Sequence, residues 1–399
     1  MKIAIVSTMD EAPWGGSEEL WCQMAEAALA DGHQVNTLTT YWRKTPDKIC
    51  RLASQGATVA FQMYLWRLPT IWHRRGQRLV NLVNRLQGKA RFKSFELLRQ
   101  WKPDVVCVSS GIIYEFTRHP GLTAYFESTR VPFVLVGQYV DDVRLPPWPD
   151  QAQRVCRVLE RASRVVFVAQ RNQHDTERHL VRRLPNAHVL RNPVNLTELN
   201  QVPWPSAQGL SLASVARLQI FAKGQDVLLE ALSRPEWRSR PWTLNLYGKG
   251  PDREYLEELA EFYGISDKVC FHGQVENIRQ VWAANHLLVM PSRGEGTPLV
   301  LVEAQVCGRP AVVTDVGGNV EWVEEGVTGF IADGPFRRSV GAALERAWKH
   351  REDLESMGSR AHQEAMNKID HDPGKTLLSL VLQAASESPY DGHSSQQEV

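Results

Sequence analysis

Arg293-Gly-Glu-Gly-Thr-Pro-Leu-Val-Leu-Val-Glu303 sets one acid in a glycine-flanked loop and a second acid eight positions later, inside a helical pattern. The preceding run, His286-Leu-Leu-Val-Met290, is short and apolar and suits a buried strand that Pro291 and Ser292 end. Thr297-Pro298 then reads as a helix start, with Thr297 as N-cap and Pro298 at the first helical position. Backbone amides at such an end favour a phosphate group, and the helix dipole adds to them. Glu295 stands just ahead of those amides and Glu303 about a turn and a half inside. One carboxylate would then reach sugar hydroxyls and the other a ribose. The two acids alone suit equally a site and the plain combination of a surface loop acid with an ordinary helical Glu; the Gly-Thr-Pro turn between them favours a site.

Outward from this stretch, the chain repeats the same strand-then-helix rhythm. Lys2 to Ser7, Gln34 to Thr39, Val105 to Ser109, Val131 to Gly137 and Val165 to Ala169 are strand-like runs, and Gly16 to Leu29 is helical. A second series follows with Leu210 to Val215, Trp242 to Tyr247, Lys268 to Phe271, His286 to Met290 and Pro310 to Thr314. Short apolar strands separated by helical segments predict βαβ units and parallel sheets. Between the two series, Asn192 to Ser206 turns to Pro, Asn and Ser, which marks a boundary. The expected fold class is α/β, two Rossmann-like doubly wound domains facing across a cleft, over residues 1–195 and 196–371. The apolar helix of residues 372–386 either crosses back to the first domain or packs on the second, and 387–399 is a polar, mobile tail.

The chain of 399 residues is 43% hydrophobic and 23% charged, which accommodates two globular domains. No run of eighteen apolar residues exists, and the first strand is too short for a signal peptide. Cys22, Cys50, Cys107, Cys156, Cys270 and Cys307 show no paired spacing and suit a reducing cytoplasm. Twelve histidines without ligand spacing predict no structural metal. Net charge is only +1, yet residues 43–102 carry fourteen basic residues against Asp47 and Glu96, with Trp66, Trp72, Phe92, Phe95 and Trp101 among them. That mixture suits an anionic partner such as a membrane surface, with Arg74, Arg75 and Arg78 against the leaflet; it suits equally a solvated helical face lining a cleft. No nucleic-acid motif accompanies it.

Other segments carry weaker signals. Gly15 and Gly16 allow close backbone approach to a ligand after strand one, with Ser17 as a cap; most such pairs are plain turns. Arg217 and Lys223 lie six apart on a strand-to-helix loop and would converge on one anion, a diphosphate by preference, unless they are solvated. Leu246-Tyr-Gly-Lys-Gly-Pro-Asp252 is half a dinucleotide fingerprint without its third glycine, which disfavours a nicotinamide site. Val275, Glu276 and Asn277 follow Phe271-His-Gly273, where backbone would pair with a base edge.

In order, the Gly-Gly loop, Gly32-His33, Arg217 with Lys223-Gly224, Gly248-Lys-Gly-Pro251, Phe271-His-Gly273, Glu295 with Glu303, and Gly317-Gly318 with Glu321 resemble the retaining GT-B glycosyltransferases, family four, the glycosyl transferases group 1. The resemblance spans most of the chain and is more specific in the second half. It implies a nucleotide-diphospho-sugar donor held by the second domain, with Arg217 and Lys223 stabilising the departing diphosphate. The amides of Thr297, Leu299 and Val300 would assist, while Pro298 has no amide hydrogen. Glu295 would hold sugar hydroxyls and Glu303 the ribose. Val275, Glu276 and Asn277 would meet the base, Gly248 would border the donor, and Gly15 and Gly16 would approach the diphosphate as the domains close.

The family needs neither metal nor other cofactor, and retention is assigned to front-face internal return. Where many members carry a histidine, this chain has Gln138, which donates to a hydroxyl but does not titrate; Asp141 or Asp142 would orient the acceptor or cap a turn. The acceptor would be a glycan, a lipid-linked sugar or a small molecule, with no nucleic acid involved. A nucleotide-sugar epimerase or hydrolase using Asp141 or Asp142 is the alternative enzyme. A binding subunit without activity would be expected to have lost one of Arg217, Lys223, Glu295 or Glu303.

Overall fold

The alternation of side chains along β1 (Lys2–Ser7) shows how the first domain is built. Ile3 and Ile5 enter one apolar cluster, Ala4 and Val6 another, and all four are fully buried. A strand apolar on both faces needs cover on both, which in a parallel sheet comes from the crossover helices. In the computed structural model, which describes residues 1–9, 13–62, 95–140 and 149–387, six more strands join it. They are β2 (Gln34–Thr40), β3 (Thr58–Gln62), β4 (Val105–Ile112), β5 (Phe133–Tyr139), β6 (Arg164–Phe167) and β7 (Ala187–Val189). The order is β3-β2-β1-β4-β5-β6-β7, with every pair parallel.

The second sheet contains β8 (Leu210–Val215), β9 (Trp242–Tyr247), β10 (Val269–Gly273), β11 (Leu287–Met290), β12 (Ala311–Thr314) and β13 (Gly329–Ala332). Its order is β10-β9-β8-β11-β12-β13, again parallel throughout. Leu212 and Val289 face one cluster while Ala213, Leu288 and Met290 face the other. No helix or strand interrupts Asn192 to Ser206, which joins the sheets.

Three strands lack a matching signal in the sequence: β3, β7 and β13. All three lie at sheet ends. An edge strand is covered less, so it carries no continuous apolar run to read.

The helix Pro373–Ser386 packs on the first sheet. Its Leu377, Leu378, Val381 and Ala384 share a cluster with Ile3, Ile5, Leu20 and Trp21. Asp372 caps it by accepting from the Lys375 amide at 3.2 Å, with Pro373 at its first position. Among the described residues no helix is long and apolar enough to cross a membrane. All six cysteines are free, with Cys50 and Cys270 exposed.

Both sheets reverse their winding beside the first strand, between β1 and β4 and between β8 and β11. Loops leaving the carboxyl ends of strands at such a switch point form a crevice. These loops meet at one place.

Candidate functional site

A cavity of about 560 Å³ lies between the domains. It is walled by the loops after β1 and β4 of the first sheet and after β8 and β11 of the second, with the end of β5 beside them. Of the residues singled out in the sequence, it brings together Gly15, Gly16, Gln138, Arg217, Lys223, Glu295, Thr297, Pro298, Leu299 and Val300. Gly248, Val275, Glu276, Asn277 and Glu303 lie outside its lining. Asp141, Asp142 and residues 63–94 of the basic stretch are outside the described residues.

The second-domain wall is cationic and braced. Lys223 Nζ meets Glu295 Oε1 at 2.6 Å, joining the loop after β8 to the loop after β11. The Glu295 side chain is nearly buried and that of Lys223 is 27% exposed, so a charge of the lysine still faces the cavity. Arg293 clamps Asp226 with two bonds, at 2.9 and 2.8 Å, and so fixes the acidic loop to the helix Gln225–Leu232. Behind Arg217, Gly248 adopts φ +134, and a Cβ there would lie 2.0 Å from the Ala216 carbonyl oxygen. Gly248 therefore supports the Arg217 loop from behind instead of bordering the cavity.

Two caps differ from expectation. The helix after the acidic loop runs Leu299–Val306 with Pro298 at its N-cap, and the Thr297 hydroxyl donates to the Val168 carbonyl of the first domain at 2.6 Å. Thr297 thus ties the domains together. Leu299 and Val300 open the helix, and their first-turn amides have no partner within it. In the first domain, Gly15 is the N-cap of Gly16–Ala30, and the Ser17 hydroxyl donates to Glu18 Oε2 at 2.5 Å.

The domains touch at Gly16. A Cβ at that position would lie 2.9 Å from Leu299 Cδ1, so a side chain there would have to displace the Leu299 side chain. Glu303 sits four residues beyond Leu299, on the same helix face one turn deeper. Burial pushes its carboxyl up to about 7, and the charge of Glu19 adds to the effect. No hydrogen bond or ion pair satisfies that carboxyl among the described residues. Glu19 itself accepts from Trp14 Nε1 at 2.6 Å and pairs with Lys48.

The first-domain wall adds residues that sequence reasoning missed. Met9, Glu115, Arg118, Tyr139 and Asn192 line the cavity. Glu115 Oε2 accepts from Thr8 Oγ1 at 3.3 Å and from the Gly111 amide at 3.1 Å, while Oε1 holds Arg118 at 3.2 Å. None of these falls in a motif; only their loops, at a switch point, would have pointed to them.

Residues 209–350, from β8 onward, match the family model of glycosyl transferases group 1. The match lies within the second domain. The family model spans Arg217, Lys223, Glu295 and Glu303. The chain is similar to an exopolysaccharide phosphotransferase of Streptomyces coelicolor, 31% identical over 40% of this chain and 17% of that protein. It is similar also to a D-inositol 3-phosphate glycosyltransferase of Streptomyces griseus, 36% identical over 40% of this chain and 37% of that one. These matches span less than half of each curated relative.

The chain has the GT-B fold. The Anabaena protein Alr3699/HepE, solved in complex with UDP-glucose, superposes with a TM-score of 0.67 at 20% identity, over 96% of this chain and all of that one. In this GT-B chain the residues expected at the base lie along β10 and its exit. Val275 packs against the second-domain core, Glu276 is exposed, and Asn277 caps the helix Ile278–Ala284 by accepting from the Arg279 amide at 3.1 Å. The Asn277 side chain is thus already engaged, leaving backbone for a ligand.

Proposed function

We propose that this protein is a retaining glycosyltransferase that moves a hexose from a nucleotide-diphospho-sugar to a glycan, lipid-linked or small-molecule acceptor. The observation that carries the reading is one cavity walled by Gly16, Arg217, the Lys223–Glu295 pair and the opening amides of Leu299–Val306. That set suits an anion bonded to a polyhydroxylated group. Arg217, Lys223 and the Leu299 and Val300 amides take the diphosphate; Glu295 accepts from the sugar; Glu303 accepts from the ribose hydroxyls.

In the reaction, the bond from the anomeric carbon to the phosphate oxygen breaks and a bond to the acceptor oxygen forms on the same face. The acceptor proton passes to the departing phosphate. Charge develops on that phosphate, beside cations already in place, so the wall stabilises the transition state more than the ground state. Arg217 and Lys223 do here what a divalent metal does elsewhere, and activity is expected to survive chelation.

Support for the ribose role of Glu303 comes from its unpartnered, nearly buried carboxyl, a group that a pair of hydroxyls would satisfy. The test is calorimetric titration of uridine, guanosine and adenosine diphosphates and their glucosyl, mannosyl and N-acetylglucosaminyl forms, into wild type and Glu295→Ala. Tight binding of one series, with sugar preference lost in the variant, is expected. Absence of binding to all of them would overturn the reading.

A further inference from the structure

Phe221 stands on the loop that follows β8, between Arg217 and Lys223. It lines the cavity and is nevertheless 73% exposed, which puts it at the mouth. It joins no apolar cluster of either domain, and among the described residues no other ring or cation lies against it. The turn beneath it is firmly held. The Ile220 amide donates to Asp252 Oδ2 at 2.8 Å, Arg293 Nη1 donates to the Ile220 carbonyl, and the Arg293 amide donates to the Ala222 carbonyl at 2.8 Å. Gly224, at φ +64, closes the turn against the Pro291 carbonyl. A loose loop would let the ring fold back onto apolar surface; this one holds it out at the entrance to the site.

The first-domain wall of the same cavity offers the opposite chemistry. The Arg118 side chain is 53% exposed and pairs with Glu115, which the Thr8 hydroxyl and the Gly111 amide anchor. A guanidinium beside a carboxylate presents donors and acceptors together. An aromatic face on one wall and a donor–acceptor pair on the other suit a ligand with an apolar face and a polar edge. A pyranose is such a ligand: its C–H bonds, polarised by neighbouring oxygens, meet the negative face of an aromatic ring, and its hydroxyls form the edge. An acyl chain needs continuous apolar surface, which Gln219 and Lys223 interrupt on the same wall. A nucleobase also stacks on a ring, but the donor base is expected at the exit of β10, which β9 separates from β8.

We propose that Phe221 is a stacking platform for a pyranose ring of the acceptor, so that the acceptor group is a sugar, free or carried on a lipid. This rests on the nucleotide-sugar reading above. The donor domain thus shares in choosing the acceptor: Phe221 takes the face of the ring, and the Glu115–Arg118 pair of the first domain takes its hydroxyl edge.

The experiment measures transfer, as release of nucleoside diphosphate, from the hexosyl donor that wild type binds. The acceptors are the methyl glycosides of glucose, galactose, mannose and N-acetylglucosamine, with a polyprenyl phosphate as the sugar-free comparison. The proteins are wild type, Phe221→Ala, Phe221→Leu and Phe221→Trp. At least one glycoside is expected to accept, with its KM raised about tenfold in the Ala and Leu variants and near wild type in the Trp variant, as one ring contact would give. Leu keeps apolar bulk without a ring, so a merely hydrophobic role would spare it. All three variants should keep the wild-type affinity for the bare diphosphate, which also verifies that each is folded. An unchanged KM in the Ala variant, or a Leu variant equal to wild type, would overturn the inference. Transfer to the polyprenyl phosphate alone, or to no acceptor by a protein that binds donor, would overturn it as well. Weaker diphosphate binding in the Ala and Leu variants, restored by Trp, would overturn it by assigning the ring to the donor base. Failure of wild type to bind any diphosphate would instead overturn the nucleotide-sugar reading beneath it, and this inference with it.

Discussion

Glu303 shows how one side chain links stability to function. Its folded-state value of about 7 lies above the ordinary 4.5, so the folded protein keeps this proton to higher pH than the unfolded chain does. The contribution to stability is complete below about 4.5 and falls as pH rises through about 7. Glu303→Gln removes the titration. At pH 8 the ligand-free variant should be more stable than wild type by about 1–3 kcal/mol, while at pH 4 the two should match. Scanning calorimetry at both values checks this, and the same variant should bind nucleoside diphosphate more weakly. Lys223 makes the opposite case, because its ion pair is partly exposed and adds little to stability. Lys223→Ala should lower kcat about 10²- to 10³-fold, the loss typical of one charge-stabilising group at a developing anion. A comparable rate in the variant would remove Lys223 from the diphosphate site.

Elements carry the next set of consequences. The helix Gly16–Ala30 and the helix Leu299–Val306 meet through a glycine and a leucine, and a side chain at position 16 would press on Leu299. Gly16→Val should fold normally and lose donor affinity at least tenfold. Leu299→Ala, combined with it, should restore part of that loss, because the two changes share one contact. A titration of the four proteins reads the coupling directly. The C-terminal helix Pro373–Ser386 tests a different link. Leu377 is fully buried among first-domain side chains, so Leu377→Ala should cost about 2–5 kcal/mol. The loss should appear in the thermal transition of the first domain, although the residue lies at the other end of the chain.

At the scale of the whole molecule, contacts between the domains flank the cavity. Thr297 donates to the Val168 carbonyl, the Arg171 amide donates to Glu321 Oε1 at 2.9 Å, and Arg171 Nη1 reaches Asp315 at 3.4 Å. Arg191 lies over the Trp322 ring at 5.1 Å and near Glu321 at 3.8 Å. The Thr297 bond is buried and the others are partly exposed, and such a small set of polar contacts is typical of interfaces that allow domain movement. Glu321→Ala should shift the ligand-free protein toward an open arrangement, seen as a larger radius of gyration in solution scattering, and added diphosphate should reverse it. An unchanged radius would mean that the remaining contacts hold the domains by themselves.

The sequence by itself determined the two parallel sheets, because central strands buried on both faces must be written as unbroken apolar runs. It determined also that the Arg217, Lys223 and Glu295 loops follow such strands, since glycine, proline and charge mark those turns locally. Only the tertiary structure decided the rest. The edge strands β3, β7 and β13 take their form from a neighbour instead of from their own pattern. Thr297 spends its hydroxyl on the Val168 carbonyl of the other domain, so its local signature as a cap misleads. Asn192 and Gln138 meet from positions 54 apart, and the elevated proton affinity of Glu303 exists only where burial withdraws water from it. Local backbone preference is encoded within a few residues, whereas desolvation and hydrogen-bond partnership are properties of the assembled fold.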